Sequence, residues 1–347
     1  MKKCAMIGCG GIGGYHLGHL VQFKDIIELA GFCDLIPEKA EQFCEKAESG
    51  KAYTDYKTMY DEIKPDMVFI CVPPDCHGEI EYETIRRGIH FFVEKPISLD
   101  IELSRDIATK VKEAGLITAA GFQCRYGTII EPTLDFMKDN TIVLVEASRI
   151  GGIPDISWWA NKASSGGMLV ESTIHQLDAI RYLFDEPEMV YSLSTKGFVE
   201  REDYDVEDLT TTLIKFRNGA LGTISSGCYA TEGASFDSKI TFSAKDKRGV
   251  HKIIGSFEVF EKEKAPAEGE ESYVIQGDGA LSKKAGVTTW EQDGDAGLPC
   301  DRTFVEAVIS GDASKIRSPY DDALKSLIFA LSCNKSMETG QPVKIEY

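Results

Sequence analysis

The sequence has no apolar run that approaches the roughly 20 residues of a membrane-spanning helix. None of its ten cysteines stands in a C-x-x-C pair, which argues against a zinc ribbon or a thioredoxin-like site, and we predict no metal site. Basic residues are scarce too, with 38 against 56 acidic residues and a net charge of −18. This charge argues against nucleic acid and anionic membrane surfaces as partners.

The length of the chain, 347 residues with 43% hydrophobic content, is more than one core usually serves, so two domains are expected. Three of the cysteines, Cys4, Cys33 and Cys71, lie in apolar runs, where a free thiol behaves as a small hydrophobe. Ten cysteines without the dense spacing of a small disulfide framework indicate a reducing compartment. We therefore predict a cytoplasmic protein.

A glycine-rich segment near the start predicts a dinucleotide site. It lies between two apolar runs, 4–7 and 26–33, and reads Gly8-Cys9-Gly10-Gly11-Ile12-Gly13. Such glycines allow a tight turn, close approach of the backbone to a pyrophosphate, and close packing of the next helix on the sheet. Asp34 follows the second run, where a carboxylate accepts hydrogen bonds from the adenosine ribose and repels a 2′-phosphate. NAD is therefore favoured over NADP, although the motif alone also fits a glycine-rich turn in another α/β protein.

Strand and helix patterns alternate in the first third of the chain, which predicts a parallel, doubly wound sheet. After Gly121 the pattern changes to successive strands, with a hairpin turn at Arg217-Asn218-Gly219. The predicted strands there are 142–148, 189–194, 209–216, 220–226, 238–243 and 252–260. We predict an α/β Rossmann domain over residues 1–121. Residues 122–347 are predicted to form an α+β domain with a large, open-faced mixed or antiparallel sheet. Whether the last helices pack back on the first domain stays open.

Two further segments carry candidate catalytic residues. Lys95, in Glu94-Lys95-Pro96, ends a strand of the first domain, at the edge where ligands bind in open α/β sheets. Glu171 and His175 are four residues apart and share a helix face, and histidine accepts a proton near neutral pH. Taken singly, Lys95 also reads as an exposed lysine and His175 as a buried structural histidine. The sequence leaves the cis or trans state of Pro96 open.

Together these segments resemble the Gfo/Idh/MocA family of dinucleotide-dependent sugar and polyol oxidoreductases. The resemblance runs nearly end to end and is carried by the glycine motif, Val72-Pro73-Pro74 with His77, Glu94-Lys95-Pro96, the segment 166–178 and the closing Gly340-Gln341-Pro342-Val343. It implies that the nicotinamide lies near Lys95, that Lys95 positions the reacting hydroxyl, and that His175 accepts its proton. It also implies cofactor contacts from Val72, Pro73, His77, Glu94 and Lys95.

The same resemblance implies substrate contacts from Lys95, Glu171 and His175, and suggests them for Arg125 and Trp158. For Arg125 an interdomain salt bridge is an equal alternative, one of the two adjacent tryptophans is expected in the core, and His77 fits a helix cap as well. Glu171 stands where the family commonly has Asp, and Thr173 stands where it commonly has Gly. These departures leave the size and hydroxyl pattern of the substrate open.

The resulting prediction is an NAD-dependent oxidoreductase that transfers a hydride between the nicotinamide and a secondary alcohol of a sugar, inositol or related polyol. Two alternatives from the same family remain: an NAD-dependent glycoside hydrolase and a non-catalytic dinucleotide-binding regulator. The expected partners are a small-molecule sugar or polyol and further copies of the chain, as a homodimer or homotetramer.

Overall fold

The computed structural model describes residues 1–152, 155–230, 234–261 and 286–347. Its first sheet has six strands, all parallel, in the order β3-β2-β1-β4-β5-β6. The strands are β1 (Lys2–Ile7), β2 (Ile27–Cys33), β3 (Lys51–Tyr53), β4 (Met67–Ile70), β5 (His90–Val93) and β6 (Thr118–Ala120). The helices between them are α1 (Gly11–Leu20), α2 (Pro37–Ala47), α3 (Tyr56–Ile63), α4 (Glu79–Arg86) and α5 (Ile101–Ala114). This is the predicted doubly wound Rossmann arrangement.

Local sequence explains these elements. All four residues of β4 are buried, as expected of a central parallel strand with helices on both faces. Helix α5 begins after Asp100, whose carboxylate accepts hydrogen bonds from the backbone N–H groups of Glu102 and Leu103. It ends at Gly115, which takes the left-handed conformation at φ +64°. The parallel strands therefore all end at one edge of the sheet, where their loops can form a site.

The second sheet has nine strands in the order β14-β13-β12-β11-β7-β10-β9-β8-β15, and only the β7–β10 pair is parallel. Its strands are β7 (Leu144–Gly152), β8 (Pro187–Thr195), β9 (Leu209–Phe216), β10 (Leu221–Ala230), β11 (Ser235–Ser243), β12 (Lys247–Lys252), β13 (Ser256–Glu261), β14 (Gly286–Glu291) and β15 (Val343–Lys344). The remaining helices are α6 (Ile130–Asp139), α7 (Ser157–Ala160), α8 (Lys162–Ser165), α9 (Met168–Glu171), α10 (Ile174–Leu183), α11 (Gly297–Ser310) and α12 (Tyr320–Thr339). The predicted mixed sheet is confirmed.

One predicted strand is wrong. The sequence suggested a single strand over 252–260, but the structure has two strands, β12 and β13, with a turn between them. The turn closes through a hydrogen bond from the backbone N–H of Gly255 to the carbonyl of Lys252, and Ile254 takes φ 52°. The apolar residues on both sides of the turn hid the break. The predicted hairpin between β9 and β10 is confirmed, with Gly219 at φ +90°.

The last two helices lie against the first domain. Helix α11 packs on α1, where Phe304 and Val305 join the apolar cluster that contains Leu17. Helix α12 packs on α5 of the first domain and on α10 and β8 of the second. Both helices are therefore packed against the first domain, and α12 joins the two domains.

A buried ion network joins α10 and α12 to the end of the first domain. Arg125, which is 2% exposed, donates from Nε and Nη2 to the two carboxylate oxygens of Asp178, at 2.8 and 2.5 Å. Its Nη1 pairs with Asp322 at 2.6 Å. Arg181 pairs with Glu186 and with the other oxygen of Asp322, at 2.7 and 3.1 Å. The guanidinium of Arg125 is thus occupied by protein carboxylates, and the salt-bridge alternative describes its role better than the suggested substrate contact.

All ten cysteines are free thiols. Burial raises the pKa of Cys124 and Cys333 to about 12, which leaves both thiols protonated at neutral pH. Among the residues that the structure describes, no helix has the length and apolar character needed to cross a bilayer.

Replacing Arg125 with Met should destabilise the fold by about 3–5 kcal/mol, because Asp178 would remain as a buried carboxylate without its cation. Urea denaturation followed by circular dichroism measures this loss. Lys138→Met is the control, since the Lys138–Asp135 pair is exposed on both sides and should contribute much less. Equal, small effects of the two substitutions would contradict a structural role for the Arg125 network.

Candidate functional site

The glycine turn after β1 is shaped for a dinucleotide. Gly8 takes φ +90°, and a Cβ there would lie 2.1 Å from the carbonyl oxygen of Cys71. A Cβ on Gly13 would lie 2.2 Å from the carbonyl oxygen of Gly8. At Gly10 and Gly11, in contrast, no atom lies within 4 Å of a Cβ position, so the N-terminus of α1 faces open space. The backbone geometry and this space fit a pyrophosphate at the start of a helix.

Asp34 lies beside this turn, at the end of β2. One carboxylate oxygen accepts a hydrogen bond from the backbone N–H of Cys9 at 2.8 Å, and the other from that of Ile36 at 2.9 Å. Each oxygen keeps a further lone pair that can accept from a ribose hydroxyl. Ile12, on the first turn of α1, is 38% exposed, and Val72 and Pro73 follow β4 at the same sheet edge. The structure therefore brings these predicted cofactor residues together.

His77 is held inside the protein. Its Nδ1 lies 2.6 Å from Oε1 of Glu81, and the other oxygen of Glu81 accepts from the backbone N–H of Gly78. Glu81 rather than His77 therefore caps helix α4. The Nε2 atom of His77 is buried without a hydrogen-bond partner. His77 follows β4, at the sheet edge of the glycine turn, and its predicted cofactor contact stays a prediction.

The side chain of Glu94 is engaged by other residues of the protein. Its carboxylate is buried, with Oε1 at 2.9 Å from Nε2 of His16 and Oε2 accepting from the backbone N–H of Lys95 at 3.2 Å. A Cβ on Gly121 would collide with it, at 1.9 Å. The side chain of Glu94 is therefore a positioning group between α1 and the Lys95 turn, and only its main chain remains for a cofactor contact.

His16 and His19 form a buried cluster that sequence reasoning missed. Both Nδ1 atoms bond Asp301 on α11, at 2.9 and 2.7 Å, and Nε2 of His19 lies 3.1 Å from Asp295. Burial alone would lower the pKa of His16, but Asp301 and Glu94 outweigh it and raise that pKa to about 10. Although the ligand atoms of His16, His19 and Asp301 lie within 4.8 Å of one another, the four ring nitrogens already bond carboxylates. The cluster therefore ties α1 to α11.

Lys95 and Glu171 meet across the two domains, although they are 76 residues apart in the chain. The Nζ of Lys95 donates to Oε1 and to the main-chain carbonyl of Glu171, both at 3.1 Å. The Lys95–Pro96 peptide bond is cis. Burial raises the pKa of Glu171 to about 7, against the lowering effect of Lys95, and its Oε2 is buried without a partner. Glu171 therefore has a free acceptor beside the amine of Lys95.

His175 lies one helical turn beyond Glu171, at the start of α10. Its Nδ1 is 3.9 Å from the sulfur of Cys124, and no described residue bonds its Nε2. Burial, Lys95 and Arg149 lower the pKa of His175 well below its usual value, so the ring is neutral at neutral pH. A neutral imidazole with a free nitrogen can accept a proton.

The sequence predicts that one of the two adjacent tryptophans lies in the core. Trp158 and Trp159 stack with ring centroids 6.4 Å apart, and Trp159 packs with Met168 and Val206. Trp159 is thus the expected core member of the pair, and Trp158 remains the candidate aromatic face.

Sequence reasoning did not include Arg149, whose charge contributes to the lowered pKa of His175. The predicted strand ended at residue 148, whereas β7 continues to Gly152. The alternation of polar and apolar residues breaks at Ser148-Arg149, so it gave no signal that would have extended the strand.

A glycine turn fitted for a dinucleotide, with a lysine, a carboxylate and a neutral histidine at the same sheet edge, defines the class of two-domain, dinucleotide-dependent oxidoreductases. The chain belongs to the Gfo/Idh/MocA family. The family model described as "Oxidoreductase family, NAD-binding Rossmann fold" matches residues 2–122, and the GFO/IDH/MocA C-terminal domain matches residues 141–246. The predicted family is therefore confirmed.

Similar proteins support this assignment. The chain is 25% identical to myo-inositol 2-dehydrogenase of Thermotoga maritima, over 99% of this chain and 98% of that protein. It is 29% identical to scyllo-inositol 2-dehydrogenase (NAD(+)) of Bacillus subtilis, over 64% and 66%. Among solved structures, levoglucosan dehydrogenase in complex with NADH and levoglucosan matches with a TM-score of 0.84 and 17% identity, covering 100% of both chains. The last likeness shows the shared fold.

Replacing Asp34 with Ser should weaken NAD binding and reduce the preference for NAD over NADP. The substitution removes the carboxylate that accepts from the ribose hydroxyls and repels a 2′-phosphate. Fluorescence titration with NADH and NADPH measures both dissociation constants. Asp25→Ser, at another acidic residue of the first domain, is a control that should leave both constants unchanged. An unchanged preference in Asp34→Ser would contradict the role of Asp34.

Proposed function

We propose that the protein is an NAD-dependent oxidoreductase acting on a secondary alcohol of a sugar, an inositol or a related polyol. The observation that carries this proposal is the Lys95–Glu171 contact beside the neutral His175, at the edge where the Rossmann strands end. The inositol dehydrogenases among the relatives and the family membership support the substrate class.

The proposed roles follow from charge and protonation. The amine of Lys95 donates to the reacting hydroxyl and stabilises negative charge that develops on its oxygen. His175 takes the proton of that hydroxyl through its free nitrogen, because its lowered pKa keeps the ring neutral. The free Oε2 of Glu171 accepts a hydrogen bond from a neighbouring hydroxyl and thereby orients the substrate.

When bound, NAD⁺ would supply the acceptor for the hydride that the carbinol carbon releases. Gly8, Gly10, Gly11, Gly13 and Asp34 would hold it, as the shape of the turn indicates. Burial of Lys95 and Glu171, whose side chains are 12% and 9% exposed, limits water around the reacting group.

The two alternatives make a different prediction. A glycoside hydrolase of this family would cleave a glycoside with no net redox change, and a regulator would bind NAD without turnover. Stoichiometric formation of NADH from a free polyol supports the oxidoreductase. Glycoside cleavage without accumulation of NADH, or NAD binding without any turnover, would overturn it.

We also propose that the chain forms a homodimer or homotetramer through the outer face of β8, β9 and β10. Three leucines on this face, Leu193, Leu213 and Leu221, are 57%, 55% and 59% exposed. An open sheet face with such residues needs a cover, and the helices cover the other face. Light scattering measures the mass in solution, and a mass of one 38.2 kDa chain would contradict this proposal.

Replacing Lys95 with Met or His175 with Asn should lower the turnover number by about 10²- to 10⁴-fold, because each removes a group that assists proton transfer or charge stabilisation. NADH formation from the best polyol measures the loss, and fluorescence titration should show NAD binding retained. Lys110→Met is the control, because the Lys110–Asp106 pair is exposed on both sides and lies on α5. Unchanged turnover in Lys95→Met would overturn the role of Lys95.

Alcohol oxidation should also depend on pH through Glu171. Its carboxylate ionises at about pH 7, so kcat/KM should rise through that pH to a plateau as the ionised form holds Lys95 and accepts from the substrate. His175 adds no step there, because its pKa lies well below its usual value. Glu171→Gln should remove the inflection, whereas Glu171→Asp should keep one. Persistence of the inflection in Glu171→Gln would show that another group titrates.

A further inference from the structure

Arg149 lies on β7, the strand between β10 and β11 in the second sheet. Its side chain points to the turn between α9 and α10, where Nε donates to the hydroxyl of Ser172 at 3.0 Å. Its Nη1 donates to the hydroxyl of Ser238 at 3.2 Å. Ser172 directly follows Glu171 and precedes His175 by three residues, so Arg149 contacts the segment that carries the catalytic candidates.

Both partners of Arg149 are neutral hydroxyls. No carboxylate among the described residues forms an ion pair with it, whereas the two buried arginines, Arg125 and Arg181, each pair with two carboxylates. Arg149 is partly buried. A partly desolvated cation without a counter-charge is unfavourable, and an anion placed beside it would be favoured.

The described acidic groups around the site are engaged with partners other than Arg149. Glu171 is the acidic group at the centre, and it is already paired with Lys95. His175 is neutral, and the positive charge of Arg149 contributes to that, after burial and Lys95. Glu207, near the loop at Gly167, pairs with Lys162. Among the residues that the structure describes, Arg149 is therefore a cation of this site without a paired carboxylate.

We propose that Arg149, with Ser172 and Ser238, is a subsite for an anionic group of the substrate, so that the preferred substrate is a sugar or polyol bearing a carboxylate or a phosphate. A planar guanidinium offers paired N–H donors that match the oxygens of either group. Arg149 lies on the second sheet and contacts Ser172, the residue after Glu171, whereas Lys95 follows a strand of the first sheet. This inference rests on the proposed oxidoreductase function and names its substrate class.

The test compares compounds that share a ring and differ in charge: D-glucose, D-glucuronate and D-glucose 6-phosphate, and myo-inositol with myo-inositol 1-phosphate. NADH formation gives kcat/KM for each. We expect kcat/KM for at least one anionic compound to exceed that for its neutral counterpart. Comparison of the uronate with the phosphates shows which anionic group is accepted. If kcat/KM for the neutral compounds equals or exceeds that for every anionic compound, the proposal is overturned.

Variants of Arg149 locate the effect. Arg149→Met should raise KM for the anionic substrate by about 10- to 100-fold, the size of a lost charge-assisted contact, and change KM for the neutral counterpart little. Arg149→Lys should restore part of the loss, because the charge returns without the planar donors. Arg248→Met is the control, since Arg248 is exposed on β12 and also has no carboxylate partner among the described residues. An equal rise in KM for neutral and anionic substrates would show that Arg149 has a structural role and would contradict the subsite.

A binding measurement separates this inference from the proposed function. Thermal shift of the NADH-saturated protein with glucuronate, glucose 6-phosphate and glucose needs no turnover. If none of the compounds is oxidised, the proposed function fails for this substrate set, yet stabilisation by an anion in the native protein and its loss in Arg149→Met would still support the subsite. Equal stabilisation by glucose and by the anions would overturn the subsite itself.

Discussion

The site depends above all on the buried ion network around Arg125. Helix α10 carries His175 in its first turn and Asp178 about one turn later. Asp178 accepts hydrogen bonds from Arg125, which directly follows the first domain. Asp322 on α12 joins Arg125 to Arg181, so α10 and α12 are held by the same charges. Because these groups are desolvated, their geometry is strict: a shifted helix would leave a buried charge unpaired. This constraint fixes the position of His175 relative to the first domain.

A second constraint acts beneath the cofactor turn. The His16–Glu94 contact links the helix that starts at the glycine turn to the residue before Lys95. Asp301 extends the link to α11. The glycine turn, the Lys95 turn and helix α11 are therefore coupled through one chain of charge-assisted hydrogen bonds, which is the kind of supporting structure that can hold a side chain in a fixed position.

The electrostatics of the centre follow from burial more than from pairing. Lys95 stands within bonding distance of Glu171, yet burial still holds the pKa of that carboxyl at about 7. Burial, together with the nearby cations Lys95 and Arg149, lowers the pKa of His175 and keeps its ring neutral. The same site therefore combines a lysine, a neutral imidazole and a carboxyl group whose pKa lies at about 7, and these groups match the roles proposed above for an alcohol oxidation.

Much of this could be read from local sequence. The glycine turn, Asp34, the alternation of strands and helices and the Asn-Gly hairpin are determined by neighbouring residues, because φ angles, side-chain periodicity and short turns are local properties. The strand at 252–260 was misread because apolar residues continue through a turn. The partners of Glu94, Arg125 and Arg149 lie 78, 53 and 23 residues away, so only the tertiary structure could decide them. The sequence by itself determined the cofactor turn and the family. The packing of the two sheets decided which charges pair across the domains, because a buried charge is stable only beside a partner.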